Sequence, residues 1–596
     1  MSEAHPPRPR LTLNIGITGH RASVLSPDLV AQTSPIIRRI FDQLRDVTEQ
    51  LHDDHPELFA ASTPQLRLHT PLATGADQMA ATVAQEAGFR IRALLPFAAD
   101  EYSADFKRGR ERREFVQQLE LAHEVFALPS DRADAEAAYV QVGKAVVAAS
   151  DILIAVWDGG NGNGPGGTAH VVDLALTNGV PVIHVPIDRA QGVAGEPLLI
   201  FGRDIIDYQR TPICSAEAIV TLLTEVLLPE PAARAQAELY LSEEARTTNL
   251  RMEYPLLLWL LRVKGLPRVP WRQPSIEEEI ASDWREVREP GAAGMREALS
   301  QSYAWANFLA IRYAQLFRSG HITNYVLSAL AVNLALFGLI VPSIKILLVV
   351  AELGVIGLLF LNTNAGTRGD WHRKWLQYRY LAETLRPFLY LKRTGMVGPP
   401  FRTEGVARNR RQERGGSDWT RWYAAAVWRQ MDWPVGELTE EGIRLLAGDV
   451  VREQLLPQAA YHRVNSERMH KLDHRLHEIG NFLIGAVIAA CFLYIGGYFL
   501  VHEWTTRLTG PFIFLTAGLP AIGAAVFGMR GHGEHLLAAS RSAHSAEALA
   551  ANAERLGQVA DLEQLAHELE NSASIMLADL NEWTATYSER SLEIPA

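Results

Sequence analysis

Cysteine is almost missing: Cys214 and Cys491 are the two present among 596 residues. They cannot build a disulfide framework, and no paired Cys/His spacing marks a structural zinc site. A reducing compartment therefore suits the bulk of the chain. A surplus of positive charge is missing too, since 57 Lys+Arg face 68 Asp+Glu for a formal net charge of -11. That balance argues against a general polyanion binder while leaving room for local basic patches. The opening residues, MSEAHPPRPR, hold no apolar segment, so no cleaved secretory leader is expected. Long apolar runs are also lacking before residue 320. With 48% hydrophobic and 21% charged residues the chain is neither disordered nor collagen-like, and its length suggests about three or four domains.

Beyond residue 320 the apolar runs come in two close pairs. Ile322 to Val341 is followed by Ile346 to Leu361, and Gly480 to Val501 by Pro511 to Met529. At about 1.5 Å rise per residue, runs of about 16 to 22 residues reach across a hydrocarbon core roughly 30 Å thick, the shortest with local thinning or snorkelling. Two transmembrane hairpins are expected. A buried core helix is the alternative for Ile346 to Leu361, which carries Glu352. Charges near the outer ends of the pairs favour the membrane: Arg312, Arg318, Arg368, Arg373, Lys374 and Arg379 flank the first, and Arg468, Lys471, Arg475, Arg530 and Arg541 the second. The loops within the pairs hold only Lys345 and Arg507. This asymmetry places both tips outside and both termini in the cytoplasm of a multi-pass inner-membrane protein.

Helical patterning continues past the membrane. Trp371, Trp375, Tyr378, Ala382 and Leu385 form one stripe ending near Pro387, and Leu562, Leu565 and Leu569 form another, suited to packing or self-association. Arg402, Arg408, Arg410, Arg411, Arg414 and Arg421 form a basic segment expected as a solvated loop near the inner leaflet, with attraction to anionic lipid as the alternative. Tyr254 to Leu261 is too short to span and suits the membrane surface or an interdomain core. His532 to His535, HGEH, lacks the spacing of a helical metal motif and reads as a polar turn. The resulting divisions are residues 1–200, a coupling region 201–320, a first membrane unit 321–395, a cytoplasmic connection 396–470 and a second membrane unit 471–596.

Residues 11–200 alternate strand-like runs with helical segments. LTLNIGIT, LRLHTPL, FRIRALLPF, EVFAL, DILIAVW and PVIHVPI supply six strands, and the intervening helices predict an α/β, Rossmann-like parallel sheet. Ligands bind such sheets beyond the carboxyl ends of the strands. Thr18, Gly19, His20 and Arg21 follow the first strand, where glycine admits close backbone approach and Arg21 offers a fork for phosphate. Gly75, Ala76 and Asp77 follow the second and open a helix, Asp77 being a cap or a ligand contact. Asp158 and Gly159 follow the fifth, leading to Gly166, Gly167 and Thr168 at another helix start. No Gly-Lys-Ser/Thr ending marks a Walker loop, and the first strand is not followed by GxGxxG.

The ordered set IGITGHR, LATGADQMAA, IRALLPF with EYSADF, YVQVGKAVVAASDILIAVWDG and GGTAHVVDLAL resembles the SLOG superfamily, which includes LOG nucleoside-monophosphate hydrolases, DprA proteins and the cytosolic domains of TRPM channels. FLAIRYAQLFRSG and WHRKWLQYRYLAETLRP, on either side of the first apolar pair, resemble the SLATT family of two-transmembrane effectors. The resemblance implies a nucleotide-sensing domain controlling a membrane effector in bacterial anti-phage conflict. Its ligand would be nucleotide-derived, ADP-ribose-like or cyclic, with no separate cofactor.

LOG hydrolases carry PGGxGTxxE, whose glutamate contributes to N-glycosidic cleavage. Here Pro165-Gly166-Gly167-Thr168-Ala169-His170-Val171 puts valine where that carboxylate falls, so binding without turnover is expected and no catalytic residue is assigned. Asp158 or Asp173 would have to substitute in a nucleotide N-glycohydrolase. DNA binding is disfavoured because residues 1–200 hold 17 Lys+Arg and 25 Asp+Glu, or 17 - 25 = -8. A TRPM-like gated channel is a further alternative, with Lys345 and Glu352 as its polar groups in or near the membrane. The expected partners are a small nucleotide, membrane lipid and further copies of the chain, without nucleic acid.

Overall fold

The computed structural model describes residues 4–160, 164–201, 212–266, 269, 271–283, 293–400, 418–500, 508–533 and 535–587. All six expected strands form: β1 (Thr12–Gly19), β2 (Gln65–Thr70), β3 (Arg90–Leu95), β4 (Glu124–Ala127), β5 (Ile152–Trp157) and β6 (Val182–Asp188). Every residue of β2 and of β5 is buried, the pattern of strands covered on both faces. The cover comes from α1 (Pro27–Asp54), α2 (Ala76–Glu86), α3 (Arg110–Leu121), α4 (Ala135–Ala149) and α5 (Thr168–Thr177). Ser26 starts α1 by accepting the Leu29 amide at 3.3 Å, Pro27 fits its first position, and Leu29, Ile37, Ile40, Phe41 and Leu44 bury one stripe.

The parallel strands lie in the order β6-β5-β1-β2-β3-β4, with the short β7 (Val193–Ala194) and β8 (Leu198–Ile200) antiparallel on β6. From β1 the chain runs outward to β4, then returns to lay β5 on the other side of β1. Winding reverses between β1 and β5, which is where a ligand crevice belongs in such a sheet.

A further strand, β9 (Gly436–Glu437), extends the sheet by pairing parallel to β4, with Phe126 opposite Gly436. It comes from the connection between the two apolar pairs and is preceded by the helix Asp418–Gln430. Its approach is held by buried cations. Arg67 donates to the carbonyls of Arg429 (3.1 Å) and Met431 (3.2 Å) and to Asp432 (2.9 Å), and Arg92 donates to the Pro434 carbonyl (3.3 Å). Arg402, Arg408, Arg410, Arg411 and Arg414 lie outside the described residues; Arg421 is exposed on that preceding helix.

Four helices are long and apolar enough to cross a membrane. Their apolar runs lie in α6 (Ala293–Ile340), α7 (Lys345–Arg368), α8 (Leu456–Leu500) and α9 (Thr509–Gly533). One tight turn, Pro342–Ile344, joins α6 to α7, and these two pack together, as do α8 with α9 and α6 with α9. Large apolar side chains stand bare on α7 and α8, with Ile346 84% and Leu500 85% exposed, a surface stable in hydrocarbon and costly in water. Small residues permit close approach: Gly518 faces Asn333, Gly528 faces Tyr325, and Gly480 faces Phe527. Asn324 donates to Thr363 at 3.0 Å and accepts from Asn362 at 2.7 Å, tying α6 to α7. Arg530 grips both oxygens of Asp473, at 2.8 and 3.0 Å, tying α9 to α8.

The coupling region reaches these helices through polar contacts. Arg251 donates to Asn362 at 2.8 Å and to Thr323 at 3.0 Å, so one guanidinium touches both α6 and α7. Glu243 accepts from Tyr313 (2.9 Å), Tyr378 (3.0 Å) and Lys374 (2.5 Å), joining α6 to the helix Trp371–Leu385. The apolar run after Tyr254 forms the helix Glu253–Leu260; Leu258 and Leu261 pack on Leu472, Leu476 and Val526, while Trp259 and Leu260 are 50% and 67% exposed. Leu562, Leu565 and Leu569 are buried in packing within the chain.

Candidate functional site

The loops after β1 and β2 are interwoven. Ala76 donates its amide to the His20 carbonyl at 3.1 Å, and Ala22 donates to the Thr74 carbonyl at 3.2 Å. Gly75 sits at φ +102°, and a Cβ there would lie 2.5 Å from the His20 carbonyl oxygen, so both conformation and space require glycine. Gly19 lies against Ala76 and the Val156 carbonyl, bringing β5 into the same cluster.

At the winding reversal His20, Asp158 and Arg189 meet. His20 Nε2 is 3.1 Å from Asp158 Oδ1, and Arg189 Nε is 2.6 Å from Asp158 Oδ2. The Gly160 amide also donates to Asp158, at 3.1 Å. Burial works against ionisation of Asp158, but the Gly160 amide, His20 and Arg189 outweigh it and hold its pKa below the ordinary carboxylate value. Burial also lowers the His20 pKa, and Arg189 adds to that against the opposing effect of Asp158, so the imidazole is neutral near pH 7.

Arg21 reaches across the cluster, its guanidinium 5.1 Å from the centre of the Tyr139 ring on α4. Tyr139 donates its hydroxyl to Asp105, which also pairs with Arg132. Gly166, at φ +78°, packs on the same residue: a Cβ there would lie 3.0 Å from Tyr139 Cβ. Gly167 starts α5 without a capping side chain, and Thr168 is its first helical residue, half-buried. The helix start therefore carries no acidic group to compete for its amides.

Thr18 to Arg21, Gly75 to Asp77, Asp158, Gly159 and Gly166 to Thr168 thus share one rim at the carboxyl edge of the sheet. Asp77 departs from its neighbours. It is buried, accepts the Ala73 amide at 3.3 Å instead of capping α2, and has its pKa pushed up to about 7 by burial, which the Ala73 amide and Arg21 only partly offset. Arg189, Tyr139, Asp105 and Arg132 are additional members of the site. Arg189 is the first residue after β6, one beyond Asp188, so the rule of inspecting strand ends reaches it; Tyr139 lies inside a helix and has no local signal.

Val171 is buried against Gly143, so its side chain lies in the α4–α5 packing. Asp173 is exposed on α5. Glu352 is half-buried on α7 and has no ion pair among the described residues, while Lys345 is exposed at the start of α7. His532 lies 2.5 Å from the Tyr325 hydroxyl, and Glu534 and Arg507 lie outside the described residues. Among the described residues no group of three His, Cys, Asp or Glu side chains could hold a metal. The chain matches no protein-family model, no curated protein and no solved structure.

Proposed function

We propose that this chain is a SLOG-like receptor fused to a SLATT-like membrane effector, sensing a nucleotide-derived messenger and answering by permeabilising the membrane in bacterial anti-phage defence. The observation that carries the reading is the meeting of His20, Arg21, Arg189 and the α5 helix start at the winding reversal of a sheet covalently joined to four candidate spanning helices. Arg21 and Arg189 supply charge for phosphate, glycine loops admit its close approach, and the α5 amides complete an anion cradle. With its pKa raised to about 7 by burial, Asp77 beside Arg21 is only partly ionised near neutral pH, which weakens the repulsion a full carboxylate charge would impose on an anion.

In this reading the spans form two hairpins in the inner membrane with both termini in the cytoplasm, and further copies of the chain complete a pore. Ligand binding switches the assembly only through unequal affinity for its closed and open states. Glu352, half-buried in a spanning helix, favours a second reading in which the open state is an ion-selective channel. Receptor behaviour is preferred to hydrolysis because Val171 faces packed side chains.

Full-length protein in detergent is to be titrated calorimetrically with adenine nucleotides, ADP-ribose and cyclic nucleotides, and the same protein in liposomes tested for dye release. Saturable binding of one ligand and ligand-dependent release are expected. Arg21→Ala with Thr168→Val should weaken binding at least tenfold, about 1.4 kcal/mol. Sealed vesicles at saturating ligand would remove the effector reading, and free base in the titrated samples would replace the receptor by a hydrolase.

A further inference from the structure

A cavity of about 740 Å3 lies away from the sheet edge, where residues 249–265 and 272–274 meet the extensions of the candidate spanning helices. That volume is in the range of small-molecule sites. Its wall carries Lys264, Arg272, Arg318, Arg379 and Arg541 against one carboxylate, Glu383. Five basic groups against one acidic group give 5 - 1 = +4, in a chain whose total is -11. Glu383 is already engaged by Arg379 and by Arg386, the latter at 3.0 Å, and Arg272 pairs with Glu278 at 2.9 Å. Lys264, Arg318 and Arg541 have no carboxylate partner among the described residues.

Two further observations point to a ligand. Arg318 is held between rings, 5.2 Å from the centre of Tyr254 and 4.9 Å from that of Trp375, which orients the guanidinium without using its donors. Asn249 and Gln273 line the cavity at 7% exposure each, and Asn249 Nδ2 and Gln273 Oε1 have no hydrogen-bond partner among the described residues. An unsatisfied buried amide costs about 1–3 kcal/mol, which a bound polar group relieves.

We propose that this cavity is a second, separate site that takes a phosphate-bearing anion through Lys264, Arg318 and Arg541. Arg318 lies one helical turn before the apolar run that starts at Ile322, so the phosphate of an anionic lipid headgroup is within the site's reach; a soluble diphosphate carries the same chemistry. The walls come from α6, from α8 through Tyr461, and from the helices that follow α7 and α9 through Arg379 and Arg541. An occupant therefore bridges the extensions of all four candidate spanning helices.

The test uses the full chain carrying Arg21→Ala and Thr168→Val, which disables the sheet-edge cradle, in nanodiscs. In one arm the discs are phosphatidylcholine and the probe is inorganic pyrophosphate; in the other they contain phosphatidylglycerol, and lipid retained on extraction is read by native mass spectrometry. Binding in the first arm identifies a soluble phosphate as the occupant, and retained phosphatidylglycerol identifies a headgroup. Adding Arg318→Ala with Arg541→Ala should lower the binding at least tenfold, whereas the paired Lys substitutions should keep most of it. Lys264→Glu, at an exposed position, should weaken binding several-fold and serves if the double alanine variant does not fold. No saturable binding in either arm, or equal binding by Lys264→Glu and the parent, would overturn the proposal.

Discussion

Asp77 carries a titration opposite in sign to that of a surface carboxylate. Its pKa is about 7 in the folded chain, against an ordinary value of about 3.8, because burial disfavours the charged form. Below about pH 4 both the folded and unfolded states hold the proton, and well above pH 7 neither does. Between these limits the unfolded state is ionised while the folded one remains protonated, so stability falls as pH rises. Asp77→Asn removes this contribution. Thermal midpoints of the variant from pH 4 to 8 should fall less steeply than those of the parent protein, and matching slopes would mean that Asp77 is ionised in the fold. The local run ATGADQM makes Asp77 legible as a helix-start residue but not as a buried one. Its electrostatic neighbours Arg21 and Tyr102 come from other segments, distant in sequence.

Among the elements, the β1 and β2 loops and the coupling contacts give separable expectations. Gly75→Ala forces a Cβ into φ +102° and against the His20 carbonyl, costing about 1–3 kcal/mol or more. A lower thermal midpoint together with weaker ligand binding is expected; an unchanged midpoint would show that the two loops separate freely. Arg251→Ala removes the guanidinium shared by Asn362 and Thr323. Since Arg251 lies outside the sheet-edge site, ligand affinity should hold while ligand-triggered dye release falls several-fold. Equal release would assign coupling elsewhere. The six parallel strands and the four candidate spanning helices were readable because each carries a run rich in apolar residues, buried within the sheet in the strands and largely bare of protein cover on α7 and α8. With only Gly436 and Glu437, both exposed, β9 has no such run, and its pairing with β4 is set by Arg67 and Arg92 beneath it.

For the whole molecule, the α/β sheet and the central connection share one sheet and one buried core. Residues 1–200 alone would leave the β4 edge open and would take from Arg67 and Arg92 the Arg429, Met431 and Pro434 carbonyls to which they donate. That fragment should therefore express poorly or aggregate, and a fusion restoring residues 418–437 should recover soluble, cooperatively melting protein; a stable 1–200 fragment would contradict this dependence. Period and length in the amino-acid chain were enough to determine a parallel sheet, its glycine-bearing strand ends and four helices suited to lipid, because these features arise from residues a few positions apart. Tertiary structure alone decided that Tyr139 joins the sheet-edge site, that β9 extends the sheet, and that Arg318 and Arg541 share a cavity. Those arrangements depend on side chains tens to hundreds of residues apart, whose proximity is set by packing and charge satisfaction and not by local pattern.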